Sequence, residues 1–298
     1  AIAPLATNTI RLSGKHTRPD GRFALLFSEK ERAGRVSYGR GGRLSPEGIQ
    51  RACTGIRDFQ GLLRQFDMGA PHVFATASLR NIRNTEEAVA QIREATGVEV
   101  DVISGELEAK LGYYGTRLAT NLRDGAVFDI GGGSTEILEV RGGEIRKAQS
   151  LPIGSLALFN TCVDGLWPKK KELKKIRTAV ASALKEAWLP EQRVEKVCGV
   201  GGTARAVLKI ANAWYETPAG NRSLTPAEVR RLTRLLLERD HQARKLILRS
   251  CPDRVHTILP GMMLMNTLTE KLCCGELYIS PYGVREGYLC HKLLNAGT

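Results

Sequence analysis

Nowhere does an apolar run in this chain approach the roughly 20 residues that a membrane-spanning helix needs, which excludes a transmembrane helix. Paired cysteines are missing too. The seven cysteines are an odd number with no Cys-x-x-Cys spacing and one vicinal pair, Cys273-Cys274, which fits neither a disulfide framework nor a zinc site. Reduced thiols and a cytoplasmic location are therefore expected. The opening Ala1-Ile-Ala-Pro-Leu-Ala6 lacks the basic segment of a secretory signal. No low-complexity segment or flexible linker interrupts the chain. Acid is under-represented: 31 Asp and Glu stand against 44 Lys and Arg, a net charge of +13. That excess suits a polyanionic partner, whether nucleic acid, membrane surface or a polyphosphate-like substrate, although a basic host proteome would give the same balance. At 298 residues the chain has the length of two domains with real cores.

Against this background the stretch Val127-Phe-Asp-Ile-Gly-Gly-Gly-Ser-Thr-Glu-Ile-Leu-Glu-Val140 stands out. An apolar run ends near Asp129, three glycines follow, and Ser134, Thr135 and Glu136 lead into a second apolar run, which predicts strand, tight turn, strand. Gly131, Gly132 and Gly133 let the backbone bend and bring its N–H groups close to a ligand. Converging N–H groups bind anions, and the hydroxyls of Ser134 and Thr135 add neutral donors. Asp129 and Glu136 should sit at the same end of the hairpin, where two carboxylates beside a phosphate suit a magnesium ion or another hard divalent cation. A glycine-rich turn with no ligand is the alternative.

Around this hairpin the pattern predicts an α/β fold built twice. Strands are expected at 7–12, 23–27 and 35–38, then a helix capped by Ser45-Pro46, a strand at 72–77, a helix from Thr85 to Gly97, a strand at 98–103 and a helix from Ser104 to about Leu118. From Gly125 the order repeats: two hairpin strands, a third at 144–151, helices, a strand at 194–200, and a helix at 203–214. Thr225-Pro-Ala-Glu228 reads as a capping box. A helix at 255–272, a strand at 276–280 and a terminal helix at 284–294 complete the series. Duplicated halves place ligands where their strand ends meet, in a cleft, with a hinge near 119–125. The expected domains are 1–121 and 122–283, with the terminal segment 284–298 packing back on the first.

Three further segments carry candidate chemistry. Cys198-Gly-Val-Gly-Gly-Thr203 follows a strand and opens a helix, where free N–H groups favour phosphate; Gly201, Gly202 and Thr203 are the candidates. A plain strand–helix connection is the alternative. Arg80, with Arg83 and Asn84, follows the strand at 72–77 and offers a planar fork for phosphate oxygens. Glu106 and Glu108 open a helix, where acids ordinarily complement the dipole. The basic run Lys169-Lys-Lys-Glu-Leu-Lys-Lys-Ile-Arg177 reads as a solvated helix face more readily than as a polyanion groove.

Taken together, Ala-Thr-x-x-x-Arg-x-x-x-Asn at 75–84, Ile-Ser-Gly-x-x-Glu-Ala-x-Leu at 103–111, Asp-Ile-Gly-Gly-Gly-Ser-Thr-Glu at 129–136 and Gly-x-Gly-Gly-Thr at 199–203 resemble the exopolyphosphatase and guanosine pentaphosphate phosphatase family in its short form. Arg254-Val-x-x-Ile-x-Pro-Gly261 and Gly283-Val-Arg-Glu-Gly287 match it as well. The resemblance implies two ribonuclease H-like domains of the actin, sugar kinase and Hsp70 superfamily. It implies Glu108 as the base that activates water, Asp129 and Glu136 as carboxylates around the metal and the water, and Mg2+ as cofactor. It further implies phosphate contacts at Thr7, Asn8, Arg80, Gly131 to Thr135 and Gly201 to Thr203. The implied substrate is inorganic polyphosphate or guanosine pentaphosphate, not nucleic acid or a membrane; a homodimer is left open. The sequence departs from the family in two places: Pro4 and Ala6 stand where the family has Asp and Gly, although Thr7, Asn8, Thr9 and Arg11 persist, and Leu107 stands in the first place of the family's adjacent glutamates, before Glu108. Proline cannot ligate a metal and removes a backbone donor, so weakened catalysis, or polyphosphate binding without turnover, is a further expectation.

Overall fold

The computed structural model describes residues 1–5, 10–17, 23–31, 38–39, 42–190, 193–218, 220–238 and 241–294. It divides into two compact units, Ala1–Leu107 with Leu293–Gly297, and Glu108–Lys292. Each contains a mixed sheet.

In the first unit, β1 (Ile2–Leu5), β2 (Ile10–Thr17) and β3 (Phe23–Glu31) form an antiparallel meander, and β6 (His72–Ala75) and β7 (Val100–Val102) extend it in parallel, giving the order β3-β2-β1-β6-β7. Between β3 and β6 lie the short pair β4 (Tyr38–Gly39) and β5 (Arg43–Leu44) and the helix α1 (Pro46–Gln65). Ser45 caps α1 by accepting the Gly48 N–H at 3.2 Å. The short α2 (Ala77–Arg80) and α3 (Thr85–Thr96) follow β6, and α3 ends on Gly97 in the left-handed region (φ 70°). Ile49, Ile56, Phe59 and Leu63 of α1 bury one helical face in a cluster with Ala88 and Ile92 of α3 and Val73 and Ala75 of β6. Full burial of such a side chain contributes about 1.5–3 kcal/mol.

The second unit begins within α4 (Gly105–Thr116), whose first turn is capped by Ser104 accepting from the Leu107 N–H at 3.1 Å. Its sheet repeats the first: the meander β8 (Gly125–Ile130), β9 (Thr135–Arg141) and β10 (Glu144–Leu151), then β11 (Lys196–Val200) and, past it, β13 (Glu276–Ile279) in parallel. The two-residue β12 (Ser223–Leu224) adds an antiparallel edge. Helices α5 (Ser155–Cys162) and α6 (Lys170–Glu186) precede β11; α7 (Gly201–Trp214) follows it. Then come α8 (Pro226–Glu238), α9 (His241–Ser250), α10 (Ile258–Lys271) and the short α11 (Val284–Tyr288), which runs into a π turn.

Alternation along the strands sorts the two faces of this sheet. Ala126, Phe128, Ile130 and Ile137 point to the large cluster under α5, α7 and α10. Val127, Leu138, Val140, Cys198 and Val200 point the other way, against Ala109 and Tyr113 of α4. Helix α10 is apolar nearly all round, with Ile258, Leu259, Met262, Met263, Leu264, Met265 and Leu268 all buried, because it runs through the core rather than over it.

The duplicated three-strand meander followed by parallel strands confirms the expected fold class. The individual boundaries differ in instructive places. Strand β1 is absent from the sequence-based series because Pro4 lies within it, and proline is ordinarily confined to sheet edges. Here it sits mid-sheet, opposite Phe74 of β6. The expected terminal helix at 284–294 is α-helical over Val284–Tyr288 and continues as a π-helix over Leu289–Leu293, and the helix expected from 255 starts at Ile258 after a 3-10 turn. The expected strand at 7–12 and the residues 35–37 fall partly or wholly outside the described residues. Among the described residues no helix is long and apolar enough to cross a membrane, and all seven cysteines are free.

Helix α11 is held to α4 by backbone proximity. A Cβ added at Gly287 would collide with the Leu111 carbonyl, and one at Gly115 with the Gly283 carbonyl. Neither obstacle is a flexible side-chain end, so the backbones themselves would have to part. Gly287→Ala should therefore cost ~1–3 kcal/mol and lower the thermal unfolding midpoint by on the order of 2–8 °C. A midpoint equal to that of the native chain would show that this helix pair has room to spare.

Candidate active site

The register of β8 on β9 puts Asp129 directly opposite Glu136. Directly opposed residues share a face, so both carboxylates stand on the side that packs against α4. There they close an otherwise apolar pocket lined by Ala109, Gly112, Val127, Leu138 and Val200. Glu108 of α4 is only 7% exposed and Glu136 only 2%. Burial pushes Glu136 far above the ordinary carboxylate range, and the charges of Glu108 and then Asp129 push it further; hydrogen bonds from the Ser150 and Ser134 hydroxyls oppose the shift. The Ser150 bond, to Oε1, is 2.7 Å. Burial also raises Asp129, against the nearby positive charges of Arg205 and Arg254. Three acids thus crowd into one poorly solvated place.

The loop between these strands is built by its glycines. Gly131 N–H donates to the Ser134 carbonyl at 3.0 Å, closing the turn. The Gly131 carbonyl accepts from Ser155 N–H and that of Gly132 from the N–H groups of Leu156 and Ala157, which fills the first turn of α5. Gly154 is required at this junction, since a Cβ there would stand 2.5 Å from the Gly132 carbonyl oxygen. With the carbonyls turned into α5, the N–H groups of Gly132 and Gly133 have no backbone acceptor among the described residues. Converging backbone N–H groups of this kind suit an anion. The two hydroxyls expected to help them are otherwise engaged: Thr135 is fully buried and donates to the Ile153 carbonyl at 2.6 Å, and Ser134 bonds Glu136. They shape the loop and the acid instead of facing solvent.

The second turn reaches the same place. Gly201 opens α7 with a left-handed backbone (φ 81°), and a Cβ there would run into Asp129 Oδ1. A Cβ on Gly202 would run into the Arg254 guanidinium. The turn is therefore flanked by an acid on one glycine and an arginine on the next. Thr203 of α7 is buried against Gly261 of α10, so its side chain packs the two helices together. One turn further along α7, Arg205 lies under the opposing influences of burial, which lowers its pKa, and of Asp129 and Glu286, which support its charge; Arg285 and Arg254 work against it. Glu286 in turn accepts the Gly283 N–H at 2.9 Å, capping α11.

Arg80 belongs to the first unit, at the end of α2, where its Nη1 donates to the Ile103 carbonyl at 3.2 Å. Asn84 clamps Leu44 through its side-chain amide, at 2.8 and 3.1 Å, a structural role. Thr7 and Asn8 lie outside the described residues. The sequence reading missed Ser150, Arg205, Arg254 and Glu286 as site residues. The last two lay within motifs already noted; Ser150 and Arg205 carried no signal, because only strand register and helix phase bring them in.

The family model for the "Ppx/GppA phosphatase family" matches residues 17–296. This chain belongs to that family. Exopolyphosphatase 1 of Mycobacterium tuberculosis is 24% identical over 259 residues, covering 85% of this chain and 75% of that protein. The Mycobacterium leprae protein of the same name is 23% identical over the same length. Among solved structures, an Aquifex aeolicus member of the Ppx/GppA family superposes with a TM-score of 0.78 at 23% identity, covering 99% of this chain and 97% of that one. An exopolyphosphatase from Cytophaga hutchinsonii gives 0.83 at 21% identity, covering 99% and 98%. These likenesses show the fold, and family membership makes the chain a phosphatase-type hydrolase.

Among the described residues no group of three or more His, Cys, Asp or Glu side chains is arranged to hold a metal ion. Magnesium, however, takes one or two carboxylates and completes its shell with water and substrate phosphate. Asp129 and Glu136, opposed across the hairpin beside the glycine loop, fit that requirement as a partial site. Without metal, the raised pKa of Glu136 makes its charged form a burden on the fold. A raised carboxyl favours folding at low pH, and that advantage is lost as pH climbs from the unfolded value, about 4.3, through the folded one. Glu136→Gln should therefore raise the unfolding midpoint at pH 7–8 with chelator present, by more than at pH 4. An equal shift at both pH values, or a fall at neutral pH, would contradict the crowded-acid description.

Proposed function

We propose that this chain hydrolyses the terminal phosphoanhydride of inorganic polyphosphate. The observation that carries this reading is the gathering of Glu108, Asp129 and Glu136 beside two glycine turns and Arg254. Phosphoryl transfer needs positioning and charge neutralisation more than covalent chemistry from the protein. The Gly132 and Gly133 N–H groups and the α7 N-terminus would hold the non-bridging oxygens of the terminal phosphate. Arg254 would neutralise charge there. Glu108 would orient a water and accept its proton as the water oxygen bonds to phosphorus and the bridging P–O bond breaks, leaving the shortened chain as a phosphate anion. Asp129 and Glu136 would hold Mg2+, which supplies further charge neutralisation at the phosphate oxygens. The likeness to mycobacterial exopolyphosphatases and the net charge of +13 favour polyphosphate over guanosine pentaphosphate. Free thiols suit a cytoplasmic setting.

Pro4 supports a second reading. It occupies the mid-sheet strand β1 at the place where the family resemblance expects an acid, which favours a polyphosphate receptor without turnover. Phosphate release from polyphosphate with magnesium separates the two. Glu108→Gln should reduce release by about 10²-fold or more, and Pro4→Asp should raise it. If neither the native chain nor either variant releases phosphate while all bind polyphosphate, the receptor reading replaces the enzyme. Faster release from guanosine pentaphosphate than from polyphosphate would reassign the substrate.

A further inference from the structure

The start of α7 gathers arginines, since Arg254 and Arg285 both lie close enough to oppose the charge of Arg205. Gly201 and Gly202 form the first turn, and Arg205 follows Gly201 by four residues and Gly202 by three. That spacing puts all three on one helix face. Side chains on a helix lean toward its N-terminus, so Arg205 reaches back over the two glycines. The groups above those glycines are the ones a Cβ would strike, Asp129 at Gly201 and the Arg254 guanidinium at Gly202. Arg205, Arg254 and Asp129 therefore wall one recess, floored by the bare backbone of the turn. All of these residues belong to the second unit.

The protein itself makes little use of Arg205. Among the described residues its guanidinium forms no hydrogen bond and no ion pair, and the same holds for that of Arg254. Asp129 and Glu286 support its charge from a distance, but neither bonds it. Glu286 is engaged elsewhere, accepting the Gly283 N–H at 2.9 Å and lying 3.9 Å from Arg285. An arginine placed only to offset Asp129 would pair with it. Half-buried and not sealed, Arg205 keeps its nitrogens within reach of solvent. Two planar forks of N–H donors thus face one recess at a helix N-terminus, with a single acid between them. Their joint charge exceeds what one singly charged phosphoryl group can answer. The end group of a polyphosphate chain offers one more non-bridging oxygen, and one more ionisable position, than any internal group does. One fork serves an internal group; the second needs that extra oxygen. We propose that Arg205 is a specificity residue which, with Arg254, grips the end phosphoryl group of a polyphosphate chain and so selects chain ends over internal or cyclic phosphoryl groups. This rests on the polyphosphate reading above.

The experiment measures binding of linear tripolyphosphate, which has chain ends, and of cyclic trimetaphosphate, which has none. The proteins are the native chain, Arg205→Ala and Arg205→Lys, with phosphate release followed separately. The native chain should prefer tripolyphosphate by ~10-fold or more. In Arg205→Ala that preference should shrink to about threefold or less, through lost tripolyphosphate affinity while trimetaphosphate affinity holds. Arg205→Lys keeps the charge without the planar fork, so it should recover only part of the preference; it carries the test if the alanine variant does not fold. Phosphate release by Arg205→Ala should fall on the order of 10²-fold and be partly restored by millimolar guanidinium, a rescue that a purely structural arginine would not give. An equal loss of affinity for both probes would overturn the inference, as would a lysine variant indistinguishable from the native chain. A lowered unfolding midpoint in Arg205→Ala with both affinities unchanged would overturn it in favour of a structural role. A native chain that shows the Arg205-dependent preference but releases no phosphate would count against the enzyme reading and leave the selection of chain ends standing.

Discussion

The structure depends on the mutual repulsion of carboxylates held at the end of β8 and β9. Glu136 is almost completely removed from water, and its neighbours Glu108 and Asp129 are acids. Such an arrangement is unfavourable for a fold by itself and persists only when the surroundings fix it. Much of the second unit does so. The hairpin register sets Asp129 against Glu136, two serine hydroxyls steady the buried acid, and Arg205 and Arg254 place positive charge near Asp129. A bound cation and phosphate would supply the missing compensation, which is why a cluster of this kind reads as a site.

The glycines follow from the same constraint. Gly201 is needed because Asp129 occupies the space where its Cβ would be, and Gly202 because Arg254 does. Gly154 lets the Gly131–Gly133 loop lie on the start of α5, turning carbonyls toward the helix and leaving N–H groups of the loop for an anion. The hydroxyl residues work one layer behind, on the loop and the acid. The side chains of the turn thus set its shape.

Elsewhere the chain departs from local preference at two places. Pro4 sits in mid-sheet, where its missing N–H weakens a ladder. The lysines of α6 sit at the wrong pole of their helix. Local rules broken without nearby compensation tend to mark functional positions.

Periodicity and turn residues were enough to determine the doubled α/β order, the β8–β9 hairpin, the capping of α1 and α8, and the pairing of Asp129 with Glu136, since these depend on contacts close along the chain. Family motifs singled out Glu108. The sequence alone did not reveal β1, because Pro4 disguises it, nor that Ser134 and Thr135 turn inward, nor that Ser150, Arg205 and Arg254 join the acids. Those facts come from strand register and from the phase at which distant helices meet the sheet. Pattern along the chain carries no record of either, because each is settled only when the core packs.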